Sequence, residues 1–134
     1  MSLPMRMKYF MENTMEIAVF LENHPKILKV FYPGLPSHPA YELGKRQMAG
    51  YSSLLSFLTK GDYEQSLQVM NKFKLIKRAW SYGGHVSLAE HYGNWYRDRL
   101  ARMGYPLTLI RLHVGFEDPD EIKADLDNAL RAIP

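Results

Sequence analysis

Apolar side chains recur with helical spacing at both ends of the chain. Between residues 5 and 22 they fall every three or four positions, which predicts an amphipathic helix. Near the other end, Asp118 is a favourable N-cap and Pro119 suits the first helical position. The apolar stripe that follows predicts a closing helix, with a buried face of Ile122, Leu126, Ala129, Leu130 and Ile133.

Four short segments between these helices are typical of strands. They are rich in β-branched, aromatic and leucine side chains and cover residues 27–32, 53–58, 75–80 and 108–114. The last segment alternates, so Ile110 and Leu112 share one side while Arg111 and His113 share the other.

Three more helices are predicted, over residues 39–48, 63–74 and 92–103. Asp62 followed by Gln65 has the spacing of a capping box, which supports the start of the second of these. The element order predicts an α+β fold, with a small four-stranded, mostly antiparallel sheet and helices packed on one face.

Composition excludes several classes of protein. The 134 residues, 46% of them hydrophobic, are enough for one domain with a core. The absence of cysteine excludes disulfides and thiolate metal sites. We expect a cytoplasmic protein without a membrane partner, since no apolar run approaches bilayer length and no signal-peptide pattern is present. The net charge of +3 is weak support for nucleic-acid binding, and the basic stretch 72–78 is better interpreted as a solvated face.

Few side chains suggest chemistry by themselves. The five histidines lack the spacing of metal ligands, so no metal site is predicted. Arg111 lies in the middle of a strand, opposite the apolar positions, where it faces solvent, a partner or a ligand. Its planar fork of donors would match a carboxylate. Ser81 precedes the Gly83-Gly84 turn and is either a turn residue or a hydroxyl donor to a ligand.

Three segments carry a family resemblance: KVFYPGLPSHP at 29–39, WSYGGHVSL at 80–88 and LIRLHVGFED at 109–118. In this order they resemble the Cys/Met-metabolism family of pyridoxal-phosphate enzymes over residues 4–133, and the last is most similar to the cystathionine β-lyase branch. The resemblance implies that residues 1–134 are the C-terminal small domain of a fold-type I enzyme, without its large pyridoxal-phosphate-binding domain.

The resemblance also implies roles for individual residues. Arg111 matches the arginine that clamps the substrate α-carboxylate, Ser81 the serine that assists there, and Tyr82 a residue beside the cofactor. The cofactor of the complete enzyme is pyridoxal 5′-phosphate, but Lys45, Lys60 and Lys77 do not match the family's Schiff-base lysine. No catalytic or cofactor-binding residue is therefore expected in this chain. Val86 stands where the family commonly has an acid, which leaves the substrate and the hydrogen bonding of this loop in question.

The resemblance predicts part of a carbon–sulfur lyase that acts on a small amino acid and releases a thiol, pyruvate and ammonia. Alone, this chain is expected to be inactive and, with apolar surface exposed, to self-associate. The γ-synthase and methionine γ-lyase branches remain alternatives, as do a stand-alone binding or assembly module and a decayed gene product.

Overall fold

A five-stranded sheet forms the centre of the protein in the computed structural model, which describes residues 2–134. The strands within this range are β1 (Ile27–Phe31), β2 (Leu54–Thr59), β3 (Lys77–Arg78), β4 (Leu88–His91) and β5 (Leu109–His113). The helices are α1 (Leu3–Glu22), α2 (Tyr41–Gln47), α3 (Tyr63–Lys72), α4 (Tyr92–Trp95), α5 (Arg97–Arg102) and α6 (Pro119–Leu130).

The strand order is β1-β2-β5-β4-β3. The pairs β1–β2, β2–β5 and β4–β5 are antiparallel, and only the edge pair β3–β4 is parallel. The predicted α+β class and mostly antiparallel sheet are confirmed, but the sheet of the described residues has five strands rather than four.

Alternation along β2, β4 and β5 separates two faces of the sheet. Leu112 lies between Leu55 and Ala89, and Ile110 lies beside Phe57, all on the face that forms the core. The helix α1 contacts β1, β2 and α6, while α3 contacts α6 and β4. The three longest helices therefore close this core face.

The stretch from residue 75 to residue 106 differs most from prediction. The third strand begins only at Lys77, because the amides of Leu75 and Ile76 donate to the carboxylate of Asp125 instead of to a neighbouring strand. The strand β4 was missed altogether, since its sequence LAEH lacks an apolar alternation. The predicted helix 92–103 is two short helices, because Tyr96 has non-helical dihedrals of φ −121° and ψ 39°.

Local capping signals were interpreted correctly. The Asp62 carboxylate accepts from the Gln65 amide at 2.8 Å, and the Gln65 side chain accepts from the Asp62 amide at 2.9 Å. The Asp118 carboxylate accepts from the Asp120 amide at 2.8 Å, with Pro119 in the first turn of α6.

Among residues 2–134, no helix has both the length and the apolar character needed to cross a bilayer.

Candidate functional site

Arg111 occupies the middle of the central strand, on the face opposite the core. Its direct neighbours in the ladder are Ser56 of β2 and Glu90 of β4. Directly opposed residues present their side chains on the same face of a sheet, so these three polar residues form one row. Arg111 itself is half-buried, which means that its charge is only partly solvated.

Aromatic side chains surround the guanidinium of Arg111. Its Cζ atom lies 5.7 Å from the ring centres of both Trp80 and Tyr82, and 5.4 Å from that of Tyr92. Rings at such distances attract a cation through their electron-rich faces. Trp80 also packs on Tyr92, Trp95 and Tyr96, so the arginine lies against a wall of aromatic side chains.

Two hydrogen bonds fix the orientation of this guanidinium. Nη1 donates to the Tyr92 hydroxyl at 3.2 Å, and Nη2 donates to the backbone carbonyl of Trp80. A guanidinium has five N–H donors. The two hydrogen bonds to residues of the described chain therefore leave three donors for other acceptors.

The nearest acid in the row, Glu90, is already paired. Its Oε1 atom accepts from Arg78 Nε at 3.2 Å and from the His91 amide at 2.9 Å. Within residues 2–134, Arg111 makes no ion pair with any carboxylate. The site thus presents a half-buried positive charge that is oriented by its neighbours but not neutralised by them.

Ser81 and Tyr82 belong to the loop that passes beside Arg111. Both residues are exposed. The residues on either side of Ser81 contact Arg111, Trp80 through its backbone carbonyl and Tyr82 through its ring. The turn that follows requires a glycine at Gly83, whose φ of +82° is unfavourable for other residues. The structure therefore brings all three predicted residues to one location.

The far side of this loop is anchored by Glu117 rather than by an acid at position 86. The Glu117 carboxylate accepts from the amide and the hydroxyl of Ser87, at 2.8 and 2.7 Å. Gly115 donates to the same hydroxyl, and a Cβ at Gly115 would lie 2.5 Å from the His85 carbonyl oxygen. The loop retains a carboxylate anchor despite the valine at position 86.

His113 holds the glycine turn through a hydrogen bond to its backbone. Its Nε2–H donates to the Gly84 carbonyl at 2.9 Å, which leaves Nδ1 to accept from the Ser53 hydroxyl at 2.9 Å. Burial lowers the pKa of His113 below its ordinary value. A neutral imidazole fits both bonds, since it has one donor and one acceptor nitrogen.

Sequence reasoning missed Glu90, Arg78 and Tyr92. Glu90 and Tyr92 belong to the segment whose fold was misjudged, and Arg78 was assigned to a solvated basic face. Glu90 can be recognised as the cross-strand neighbour of Arg111 only once β4 and its register are known.

Metal ligation was not predicted, and the described residues contain no cluster of three or more His, Asp or Glu side chains that would hold an ion. Lys45, Lys60 and Lys77 are solvent-exposed.

Comparison with known proteins decides the family. Residues 1–131 match the family model described as Cys/Met metabolism PLP-dependent enzyme. This chain belongs to that family. The enzymes of this family use pyridoxal 5′-phosphate, so the resemblance found in the three sequence segments is confirmed at this level.

Curated relatives give a finer comparison. The chain is 44% identical to cystathionine gamma-lyase of Mus musculus, over 98% of this chain and 34% of that protein. It is 42% identical to cystathionine gamma-lyase of Dictyostelium discoideum, over 96% of this chain and 35% of that protein. It is 36% identical to chloroplastic cystathionine gamma-synthase 1 of Arabidopsis thaliana, over 98% of this chain and 24% of that protein.

These relatives alter the branch expected from the sequence. All three carry γ-lyase or γ-synthase names, so they favour the alternative branches over the β-lyase that the LIRLHVGFED segment suggested. The chain spans about a third of the length of the γ-lyases that it matches.

The three lysines considered above are exposed, and the geometry around Arg111 presents hydrogen-bond donors and aromatic rings rather than an amine. What the site offers is a place for an anion, with orientation supplied by Tyr92 and the Trp80 carbonyl.

Proposed function

We propose that this chain acts as the C-terminal small domain of a pyridoxal-phosphate-dependent enzyme of sulfur amino-acid metabolism. In that role Arg111 binds the α-carboxylate of the substrate, with Ser81 and Tyr82 at the rim of the same site. The pyridoxal phosphate, with its electron-withdrawing chemistry, is held by a separate large domain. The contribution of this chain is to position the substrate.

One observation carries the proposal: Arg111 is a half-buried cation without a carboxylate partner in the part of the chain described. Leaving a charge partly desolvated is unfavourable, and a bound carboxylate relieves this cost. The spare donors of a guanidinium match the two oxygens of a carboxylate bidentately. Aromatic rings on its other sides restrict solvent and hold the fork in place.

The proposal is tested by carboxylate binding to the 134-residue chain. Sodium propionate, followed by NMR shifts of the Arg111 guanidinium and backbone amide, is expected to bind in a saturable manner. Arg111→Gln should weaken this binding by about tenfold or more, because an uncharged amide has neither the fork nor the charge. Arg111→Lys should also weaken it, since an ammonium is a point charge without the planar fork.

Two controls accompany this experiment. Propionamide has nearly the same shape as propionate but no charge, and it should not bind. Arg131→Gln removes a positive charge just after the end of α6, where the arginine pairs with Asp127, and should bind propionate as the unaltered chain does. Equal binding of propionate by the Arg111→Gln chain and the unaltered chain would contradict the assignment.

For the branch of the family, we propose cleavage or replacement at the γ-carbon. The support is the set of relatives named γ-lyase and γ-synthase. A polypeptide that joins this chain to a cofactor-binding domain should release 2-oxobutyrate from cystathionine by γ-elimination. Pyruvate as the main keto acid would instead indicate β-elimination, the reaction of the β-lyase branch. Chromatography of the keto acids distinguishes pyruvate from 2-oxobutyrate.

Self-association remains a prediction of the exposed apolar surface. Trp80, Tyr82 and Trp95 beside the site are 39%, 61% and 57% exposed, and Leu3 and Met5 at the start of α1 are 57% and 74% exposed. The same surfaces are suited to contact with the large domain of the proposed enzyme.

A further inference from the structure

We propose that Arg78 is a positioning residue for the carboxylate site, because it holds Glu90 away from Arg111. This inference rests on the proposed function, since it concerns how the charge of Arg111 is kept free for a ligand. The ion pair of Arg78 is with Glu90, not with the proposed ligand. The role of Arg78 is to form an ion pair with Glu90, the acid that would otherwise compete with that ligand for Arg111.

The competition arises from sheet register. Glu90 of β4 is directly opposite Arg111 of β5 in the antiparallel ladder. Opposed side chains of this kind have their Cβ atoms about 5 Å apart, within reach of an ion pair. The Glu90 side chain is only 5% exposed. A buried carboxylate requires a cationic partner, and Arg111 is the cation that lies opposite it.

A second arginine, Arg78, pairs with Glu90 in place of Arg111. Arg78 lies on the edge strand β3, one strand beyond Glu90, and its Nε donates to Glu90 Oε1 at 3.2 Å. The amide of His91 donates to the same oxygen at 2.9 Å. Both donors hold this carboxylate oxygen, and they give Glu90 a cationic partner other than Arg111.

Arg111 is held by different groups. Its hydrogen bonds go to Tyr92 and Trp80 rather than to Glu90. Glu90 therefore forms a neutral pair with Arg78 of the edge strand, and Arg111 is left as an uncompensated cation. If Arg78 loses its charge, Glu90 has one remaining cation opposite it, and the pair Glu90–Arg111 would neutralise the site that a ligand carboxylate needs.

The test compares three variants of the full 134-residue chain in propionate binding. Arg78→Gln should weaken binding by about tenfold, because Glu90 then competes for the guanidinium. The double variant Arg78→Gln/Glu90→Gln should recover the affinity of the unaltered chain, since the competing charge is gone. Arg131→Gln, with the same loss of charge at the end of α6, should leave the affinity unchanged.

Two outcomes overturn the proposal. In the first, Arg78→Gln binds propionate as tightly as the unaltered chain. In the second, the double variant stays as weak as the single variant, which would indicate that Arg78 acts through the fold or through the net charge rather than through Glu90.

A ligand-free measurement separates failure of this proposal from failure of the proposed function. In Arg78→Gln, the Arg111 Nε–H resonance should shift and the rotation of its guanidinium should slow, as expected for a new charge-assisted hydrogen bond. Both changes should disappear in the double variant. If the unaltered chain does not bind propionate, the proposed function fails. The Arg111 resonance then still decides the pairing: unchanged signals in Arg78→Gln overturn it, and the shift with slowed rotation supports it.

Discussion

Asp125→Ala is expected to lower the free energy of unfolding by about 4 kcal/mol, measured by urea denaturation of the 134-residue chain. The carboxylate of Asp125 on α6 accepts three backbone N–H groups, from Lys74, Leu75 and Ile76, at 2.9, 3.0 and 2.9 Å. Hydrogen bonds to a charged acceptor contribute more than neutral ones. Alanine would leave these donors without an acceptor, and Ile76 is buried where water cannot replace it.

Two variants make this prediction specific. Asp125→Asn keeps an oxygen acceptor but places an NH₂ group against an amide donor, so it should lose about 2 kcal/mol. Glu121→Ala removes an exposed acid from the first turn of the same helix and should cost less than about 1 kcal/mol. Equal effects of Asp125→Ala and Glu121→Ala would show that Asp125 contributes only its charge to the helix, not its three bonds.

The position of Asp125 also connects stability to the site. The three amides that it binds lie immediately before β3, which carries Arg78 and leads to Trp80. Their hydrogen bonds fix where the strand starts and so place the partner of Glu90 at the sheet edge. A chain that lacks this carboxylate should lose order at β3 before it loses the central strands.

Local signals in the sequence were sufficient for much of this fold. The capping box at Asp62 and the Asp118-Pro119 start of α6 depend on residues within one helical turn, and both are present. The alternation in β5 likewise placed Arg111 on the face away from the core. Such features involve contacts between near neighbours in the sequence, which a pattern can reveal.

Contacts between distant segments could not be predicted in this way. The amides of residues 74–76 bind Asp125, which follows them by about fifty positions. This contact shortens a segment whose apolar residues alone predict a longer strand. Glu90 becomes a neighbour of Arg111 only through the pairing of β4 with β5. The position of Arg111 on the outer face of the sheet was therefore predictable, while the acid opposite it was not.

Stability should fall in mild acid because of His91. This imidazole is fully buried; Nδ1 accepts from the Asn94 amide at 2.9 Å, and Nε2 lies 2.7 Å from the Ser66 hydroxyl. The Ser66 hydroxyl donates to the Tyr63 carbonyl at 2.6 Å. It must therefore accept from Nε2–H, and this network fits the neutral form of the ring.

Burial is the main cause that lowers the pKa of His91 to about 4. The cations Arg78 and Arg97 lower it further, while a backbone hydrogen bond at His91 and the Glu90 carboxylate act in the opposite direction. In the unfolded chain the pKa is the ordinary 6.5. Between these two values the unfolded state binds a proton that the folded state does not. The free energy of unfolding therefore decreases as the pH falls through this window, by about 3 kcal/mol in all.

Urea denaturation near pH 7 and near pH 4.5 tests this in the unaltered chain and in His91→Gln. The variant should be less stable near pH 7, because glutamine cannot reproduce both bonds of the ring, but it should lose about 2.5 kcal/mol less on acidification. The difference between the two chains isolates His91, since His113 and the carboxylates are common to both. Parallel pH dependences in the two chains would mean that His91 is protonated in the folded state at its ordinary pKa, and that the buried network with Ser66 does not exclude the proton.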